Sequence, residues 1–291
     1  MPATSFAFLA GALDRAEHLR DDPAALAALW AAGRVLQLDA EGRALAGEDG
    51  ALRAVPGSTL AERAGEAVFL GMRDGQGWFA VASAAGSDHD AWVDLRTAAA
   101  NWPAADATAF AQARAVLHWR ARHRHCGACG GRLAFSRSGW LGHCAACDIE
   151  HYPRTDPAVI VAVSDGERLL LGRQASWPAR RYSVLAGFVE PGESLEQTVV
   201  REVFEESGVR VHACRYLASQ PWPFPSSLML GFTADAQGDE PVVGDELDDA
   251  RWFTRTQVDA ALRGASGADG IELSPALSIS RWLIERWHAG G

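Results

Sequence analysis

No stretch of the 291 residues approaches the 18 or more consecutive apolar positions that a membrane span requires. Charges at Asp14, Arg15, Glu17 and Arg20 also interrupt the N-terminal region where a secretory leader would keep an apolar core, so a cytoplasmic protein is the expectation. Internal repeats and low-complexity tracts are missing, which removes solenoids and disordered linkers from consideration. Net positive charge is lacking too. The balance of −10 argues against nonspecific binding of nucleic acid by the molecule as a whole. What is present, 48% hydrophobic residues and 22% charged, describes a soluble chain with enough apolar material for two domains and a small module.

The charge is unevenly spread. Between Arg114 and Arg154 there are seven arginines against Asp148 and Glu150, a local balance of +5 that leaves −15 for the remainder. This basic stretch also holds four of the five cysteines, as Cys126-x-x-Cys129 and Cys144-x-x-Cys147 with fourteen residues between the pairs. Two such pairs at that separation fit a zinc ribbon, in which four thiolates close a tetrahedral site and leave no open position for chemistry. Structural Zn²⁺ is therefore expected, because so small a module has little core without it. Disulfides are disfavoured in a chain without secretory features, and a redox pair would need only one motif. Cys214, alone among apolar residues, reads as a small hydrophobe rather than a nucleophile.

The run Gly187 to Val209 carries the densest chemical pattern. Glu190-Pro191-Gly192-Glu193 interrupts a strand, Ser194 with Gln197 forms a capping box that starts a helix, and Gly208 ends it. At about 100° per residue, Glu202 and Glu206 fall about 20° to either side of Leu195, beside the apolar stripe of Val199 and Val203. Carboxylates bordering a buried stripe need cations, and clustered hard oxygens suit Mg²⁺ or Mn²⁺ carrying a substrate phosphate. Arg201 is placed to orient those carboxylates through paired hydrogen bonds.

Coarse patterning divides the chain into residues 1–113, 114–154 and 155–291. In the first part, Arg34 to Leu38, Ala67 to Met72 and Gly77 to Ala82 read as strands between Gly- and Asp-rich turns, with a helix near Pro23 to Ala32, giving a mainly β domain. Thr108 to His123 reads as a connecting helix. After Pro157 come strands at Ala158 to Val163, Arg168 to Gly172, Ser183 to Phe188, Val209 to Leu217, Leu228 to Asp235 and Ala250 to Phe253, with further helices at Arg255 to Leu262 and Pro275 to His288. That alternation predicts an α/β (α+β) chain whose C-terminal part is an α/β/α sandwich. Between two of these strands, Ser219 to Ser227 reads SQPWPFPSS. Alternating prolines there predict a stiff extended segment that presents Trp222 and Phe224 for stacking on a planar base.

Gly187, Glu193, Arg201, Glu202, Glu205, Glu206 and Gly208 match every fixed position of the Nudix box. With the four cysteines and the SQPWPFPxS segment, the chain resembles the NADH pyrophosphatase branch of the Nudix hydrolases over essentially its whole length. The resemblance implies an N-terminal Nudix-like domain, a zinc ribbon, a catalytic Nudix domain, and hydrolysis of NADH or NAD⁺ to nicotinamide mononucleotide and AMP. It implies an Mg²⁺ or Mn²⁺ site formed by the backbone of Ala186, by Glu202 and Glu206, and by a downstream acid, Glu246 or alternatively Asp245. Glu205 and Arg201 complete the catalytic set, and Glu193 supports the loop before the helix. Substrate contacts are implied for Tyr152, Phe188, Gln220, Pro221, Trp222, Pro223, Phe224, Pro225, Ser226 and Ser227, and for Ser280 where the family commonly has alanine. Gly139 stands where some relatives carry an acidic substrate contact. The resemblance further implies a homodimer. Other readings are NAD at the 5′ end of RNA as the main substrate, another nucleoside diphosphate compound such as ADP-ribose, or a zinc-ribbon nucleic-acid-binding module on an inert scaffold.

Overall fold

The computed structural model describes residues 6–83, 91–265 and 270–290. It divides into two compact units: Ala7–Thr155 with Pro223–Ser226, and Met1–Phe6 with Asp156–Trp222 and Ser227–Gly291.

In the first unit, Asp22 caps helix α1 (Pro23–Trp30), accepting from the Ala25 amide, with proline at the first helical position where no donor is missed. Strands β1 (Arg34–Leu38), β2 (Ala44–Ala46) and β3 (Val55–Pro56) follow, then a 3₁₀ stretch at Gly57–Glu66, then β4 (Val68–Arg73), β5 (Gln76–Ala82) and β6 (Ala91–Val93). The sheet order is β4-β5-β1-β2-β6, with β3 paired to β1 and β1 parallel to β5. Val35, Phe69, Phe79, Val81 and Trp30 fill its core. Two helices close the unit: α2 (Leu95–Asn101), capped by Asp94 and not anticipated from the sequence, and α3 (Ala104–Arg122), which starts four residues before the expected Thr108.

The ribbon is a three-stranded sheet of β7 (Leu133–Ser136), β8 (Leu141–Cys144) and β9 (Ile149–His151). Its β7–β8 turn reaches the edge strand β4. The Phe69 amide donates to Ser138 Oγ at 3.0 Å, and Trp140 Nε1 donates to the Phe69 carbonyl at 2.7 Å. Further along β4, Met72 exchanges backbone hydrogen bonds with Asp14. Gly139, at φ 88° with Val68 and Arg120 about 3 Å from where a Cβ would stand, has no room for the acidic side chain considered there.

The second unit comprises β10 (Asp156–Ser164), β11 (Arg168–Arg173), β12 (Arg181–Tyr182), β13 (Leu185–Phe188), α4 (Leu195–Ser207), β14 (Val211–Trp222), β15 (Ser227–Ala236), β16 (Asp249–Thr254), α5 (Arg255–Leu262), β17 (Glu272–Leu273) and α6 (Ile279–His288). Its main sheet runs β14-β15-β10-β11-β16, with β13 on β10 and β10 parallel to β15. Strand β10 is apolar along its length because both faces are covered. Val159, Val161 and Val163 pack with Val199 and Val203 of α4, while α6 covers the other face, where Trp287 donates to Ser164 Oγ. This is the α/β/α layering expected of the C-terminal part.

Two of the boundaries that differ from expectation have a clear physical reason. Strand β14 continues through Gln220-Pro221-Trp222, pairing Pro221 with Leu228 and Trp222 with Ser227. Proline is tolerated because β14 is an edge strand with no neighbour on its outer side. The stiff segment is thus confined to the turn Pro223–Ser226, which contains a cis Phe224-Pro225 bond. Helix α6 starts at Ile279 rather than Pro275, where the Ser278 hydroxyl accepts from the Arg281 amide as N-cap.

Candidate active site

Helix α4 begins with a complete capping box: Ser194 Oγ accepts from the Gln197 amide and Gln197 Oε1 accepts from the Ser194 amide. Gly208 ends it at φ 67°, a left-handed conformation that suits glycine. The acids expected beside the apolar stripe are indeed enclosed. Glu202 is 9% exposed and Glu206 5%. Gly187 of β13 faces them so closely that a Cβ there would sit 1.8 Å from the Glu202 carboxyl carbon, so any larger residue displaces the carboxylate.

Burial raises the Glu206 carboxyl to about 8, helped by the charges of Glu202 and Glu246 and opposed by a hydrogen bond from the Ala186 amide. Burial also raises Glu202, against the nearby Arg201. In an extended strand the N–H and C=O of one residue project the same way, so Ala186 directs its backbone edge toward Glu206. Glu206 Oε2 is buried and has no hydrogen-bond partner among the described residues. A buried carboxylate oxygen in that condition fits a missing cation, and the hard-oxygen donors around it suit a divalent ion. Glu246 lies exposed on the loop before β16. Its charge raises the carboxyls of both enclosed acids.

Arg201 occupies the other flank. Its Nε and Nη2 donate to the two oxygens of Glu193 at 2.6 and 2.8 Å, and its Nη1 lies 2.9 Å from Glu205 and 3.0 Å from Glu202. Nη2 also donates to the Phe188 carbonyl at 2.9 Å. Glu193 further accepts from the Glu190 amide and from Thr198 Oγ1, and with Arg201 as the main cause its carboxyl falls to about 2. The Glu193–Arg201 pair therefore staples the loop 188–193 to the helix. Thr198 was not singled out from the sequence, although a hydroxyl one turn inside the N-cap and one turn before Arg201 is the available signal.

Other sequence-chosen residues are distributed differently. Phe188 is exposed beside the acids, with its ring in solvent. Gln220, expected to line the substrate site, is fully buried: its amide nitrogen donates to the Leu277 carbonyl and its oxygen accepts from the Ile279 amide, both at 2.8 Å. It thereby satisfies the first turn of α6. Ser280 is likewise interior, 2.8 Å from Ser183 Oγ. Pro221 is exposed, Trp222 half-buried, and Ser227 pairs in the β14–β15 hairpin. Pro223, Phe224, Pro225 and Ser226 group with the first unit, as does Tyr152, which is exposed and donates its hydroxyl to Glu150.

The four ribbon cysteines converge, with all Sγ atoms within 4.8 Å of one another. Cys126–Cys147 and Cys129–Cys144 stand at 3.6 and 3.4 Å. These separations exceed the ~2.05 Å of a disulfide and are near the ~3.8 Å edge of a tetrahedron with ~2.3 Å Zn–S bonds. Among the described residues this is the one group of three or more potential ligands gathered so tightly; the carboxylates of α4 and Glu246 are more open. Four converging thiolates close a tetrahedral site, whereas the hard-oxygen set leaves positions open.

Comparison with known proteins adds three family matches in chain order: an NADH pyrophosphatase-like rudimentary NUDIX domain over residues 15–119, an NADH pyrophosphatase zinc ribbon domain over 121–152, and a NUDIX domain over 154–272. The chain is 40% identical over 289 residues to the NAD-capped RNA hydrolase NudC of Mycobacterium bovis, covering 95% of this chain and 92% of that protein. It is 43% identical over 194 residues to the NAD-capped RNA hydrolase NUDT12 of Macaca fascicularis, covering 62% of this chain and 42% of that one. Among solved structures, a NUDIX hydrolase from Nitrosomonas europaea is 27% identical, with 46% of this chain and 78% of that chain covered and a TM-score of 0.41.

Proposed function

The chain belongs to the Nudix hydrolases with a rudimentary Nudix domain and a zinc ribbon, the NADH pyrophosphatase type, and from that membership we propose that it hydrolyses the central P–O–P bond of NADH and NAD⁺, releasing nicotinamide mononucleotide and AMP. The observation that carries the reading is the enclosed Glu202–Glu206 pair: Glu202 packs against Gly187, and Glu206 keeps one unpartnered buried oxygen while the Ala186 backbone holds its carboxylate.

Glu202, Glu206 and Glu246, with the Ala186 carbonyl, are the groups that would hold Mg²⁺ or Mn²⁺. Such an ion neutralises pyrophosphate charge and acidifies a bound water. Arg201 holds Glu193 and Glu205 so that the loop following Gly187 keeps its place when substrate enters. One of the box glutamates, or another acid from a loop, takes the proton of the attacking water. Trp222 and Phe224 supply aromatic faces for the base or nicotinamide ring. The ribbon cysteines bind structural Zn²⁺ and take no part in the chemistry.

The names of the two relatives favour a second substrate of the same site, NAD at the 5′ end of RNA. Incubation with NADH, NAD⁺, ADP-ribose and NAD-capped RNA in Mg²⁺ or Mn²⁺, with products separated by chromatography, tests both. AMP with nicotinamide mononucleotide, absent for Glu206→Gln, is the expected result. Preferred cleavage of ADP-ribose would move the assignment to another nucleoside diphosphate compound, and no cleavage at all would reject it.

A further inference from the structure

Phe224 sits at the tip of the proline-rich turn, and its ring is gripped by two arginines. The Arg96 guanidinium carbon lies 4.0 Å from the ring centroid and that of Arg114 5.2 Å. Nη1 of Arg114 also donates to the carbonyl of Pro223, the residue before the ring. The Arg114 stem passes over Gly42, where an added Cβ would stand 3.0 Å from Nε, so its path is fixed from below as well. Phe8 lies tilted against the same ring, with centroids 6.5 Å apart.

Two like charges converge here at a cost. Burial lowers the pKa of Arg114, the charge of Arg96 lowers it further, and Asp94 acts in the opposite direction. A turn that merely needed filling would be served by an aliphatic side chain at position 114. Guanidinium groups, by contrast, stack on an aromatic face and fix the plane of the ring, and one fork can hold a backbone carbonyl at the same time.

We infer that Arg96 and Arg114 are positioning residues for substrate binding: they set the plane and height of Phe224, and with it the turn Pro223–Ser226, so that this turn meets the dinucleotide already ordered. The inference rests on the reading of Ser219 to Ser227 as the segment that receives the dinucleotide. Preorganisation of this kind lowers KM without touching the hydrolytic step.

The test is steady-state kinetics on NADH with the full-length zinc-loaded protein as Arg114→Met, Arg96→Met, Phe224→Leu and the double variant Arg114→Met/Phe224→Leu. The expected result for each arginine variant is a KM raised roughly 3- to 30-fold, the size of one or two lost cation–π contacts, with kcat within about threefold. The double variant should be no worse than Phe224→Leu alone, because both act through one ring. Arg96 is exposed, so Arg96→Met reports even if Arg114→Met fails to fold. An unchanged KM in Arg96→Met and in any folded Arg114→Met, or additive effects in the double variant, overturns the inference. If Phe224→Leu raises KM and the arginine variants do not, the substrate segment stands and the arginines alone lose their role. If Phe224→Leu also leaves KM unchanged, the reading of the segment falls as well.

Discussion

The two sheets of this protein are wired identically, yet only one carries the acids of a hydrolase. In the first unit the order is β4-β5-β1-β2-β6 with β3 on β1; in the second it is β14-β15-β10-β11-β16 with β13 on β10, and in each the central pair is parallel. They part at the connection that follows the short strand. After β13 comes the capped thirteen-residue helix α4, which buries Thr198, Val199, Glu202, Val203, Glu206 and Ser207. After β3 comes the 3₁₀ stretch Gly57–Glu66, kinked at Leu60, whose one buried residue is Gly57. Three residues per turn cannot stack positions i and i+4 on one face, so Glu62 and Glu66 remain in solvent and Arg63–Glu66 is a surface pair. The sheet is a frame that tolerates either connection. The chemistry belongs to the helix laid across it.

The sharpest way to break that contrast is to remove the acid whose oxygen is left unpartnered. Glu206→Gln should lower turnover of NADH by roughly 10² to 10⁴ while the melting temperature holds or rises. Glu62→Gln in the first unit should leave turnover unchanged, and parity between the two variants would erase the distinction. Next in size is the ribbon. Cys129→Ser should cost the chain its zinc, read by metal analysis, along with much of the roughly 10–16 kcal/mol of apparent binding energy that a structural site supplies to its fold. An unaltered zinc content would refute the four-thiolate site.

Gly187→Ala drives a methyl into the Glu202 carboxylate. Turnover should drop about 10- to 100-fold, as for disturbed metal-ligand supports, and a titration of activity against Mg²⁺ should shift to higher concentration. A smaller effect concerns pH. The Glu206 carboxyl is raised from 4.5 to about 8, so in metal-free protein its contribution to stability is complete below about pH 4.5 and is lost as pH climbs through about 8. Melting temperature in a chelator should therefore fall over that window relative to Glu206→Gln, and Mg²⁺ at pH 8 should restore it. Coincident pH profiles for the two proteins would contradict the burial argument. Smallest of all, Arg63→Gln in the 3₁₀ stretch should change unfolding free energy by no more than about 1 kcal/mol.

Much of the catalytic unit was legible because its signals are local. Ser194, Gln197 and Gly208 announce the ends of α4, and 3.6-residue periodicity puts Glu202 and Glu206 beside Val199 and Val203. Strand β1 matches its expected span at Arg34–Leu38 for the same reason. What was not legible depends on distant partners. Whether Gln220 faces substrate or the first turn of α6 is decided by Leu277 and Ile279, more than fifty residues away. The arginines over Phe224 come from α2 and α3, and nothing in the local sequence of either helix marks them. Ser219 to Ser227 was read as a separate stiff segment beyond a strand ending at Leu217, because sequence does not reveal that β14 lies at a sheet edge, where the missing amide of Pro221 goes unnoticed.

The outer margin of β4 is another such edge, and a different part of the chain closes it. Ser138 and Trp140 of the ribbon turn take up the Phe69 amide and carbonyl, and Asp14 takes those of Met72. An unguarded strand margin is a template on which a second chain can grow a sheet. Folding of the ribbon around its cysteines is therefore also what keeps the Phe69 end of that margin occupied, and a chain without zinc should expose it, with light scattering in a chelator as the measurement that checks it.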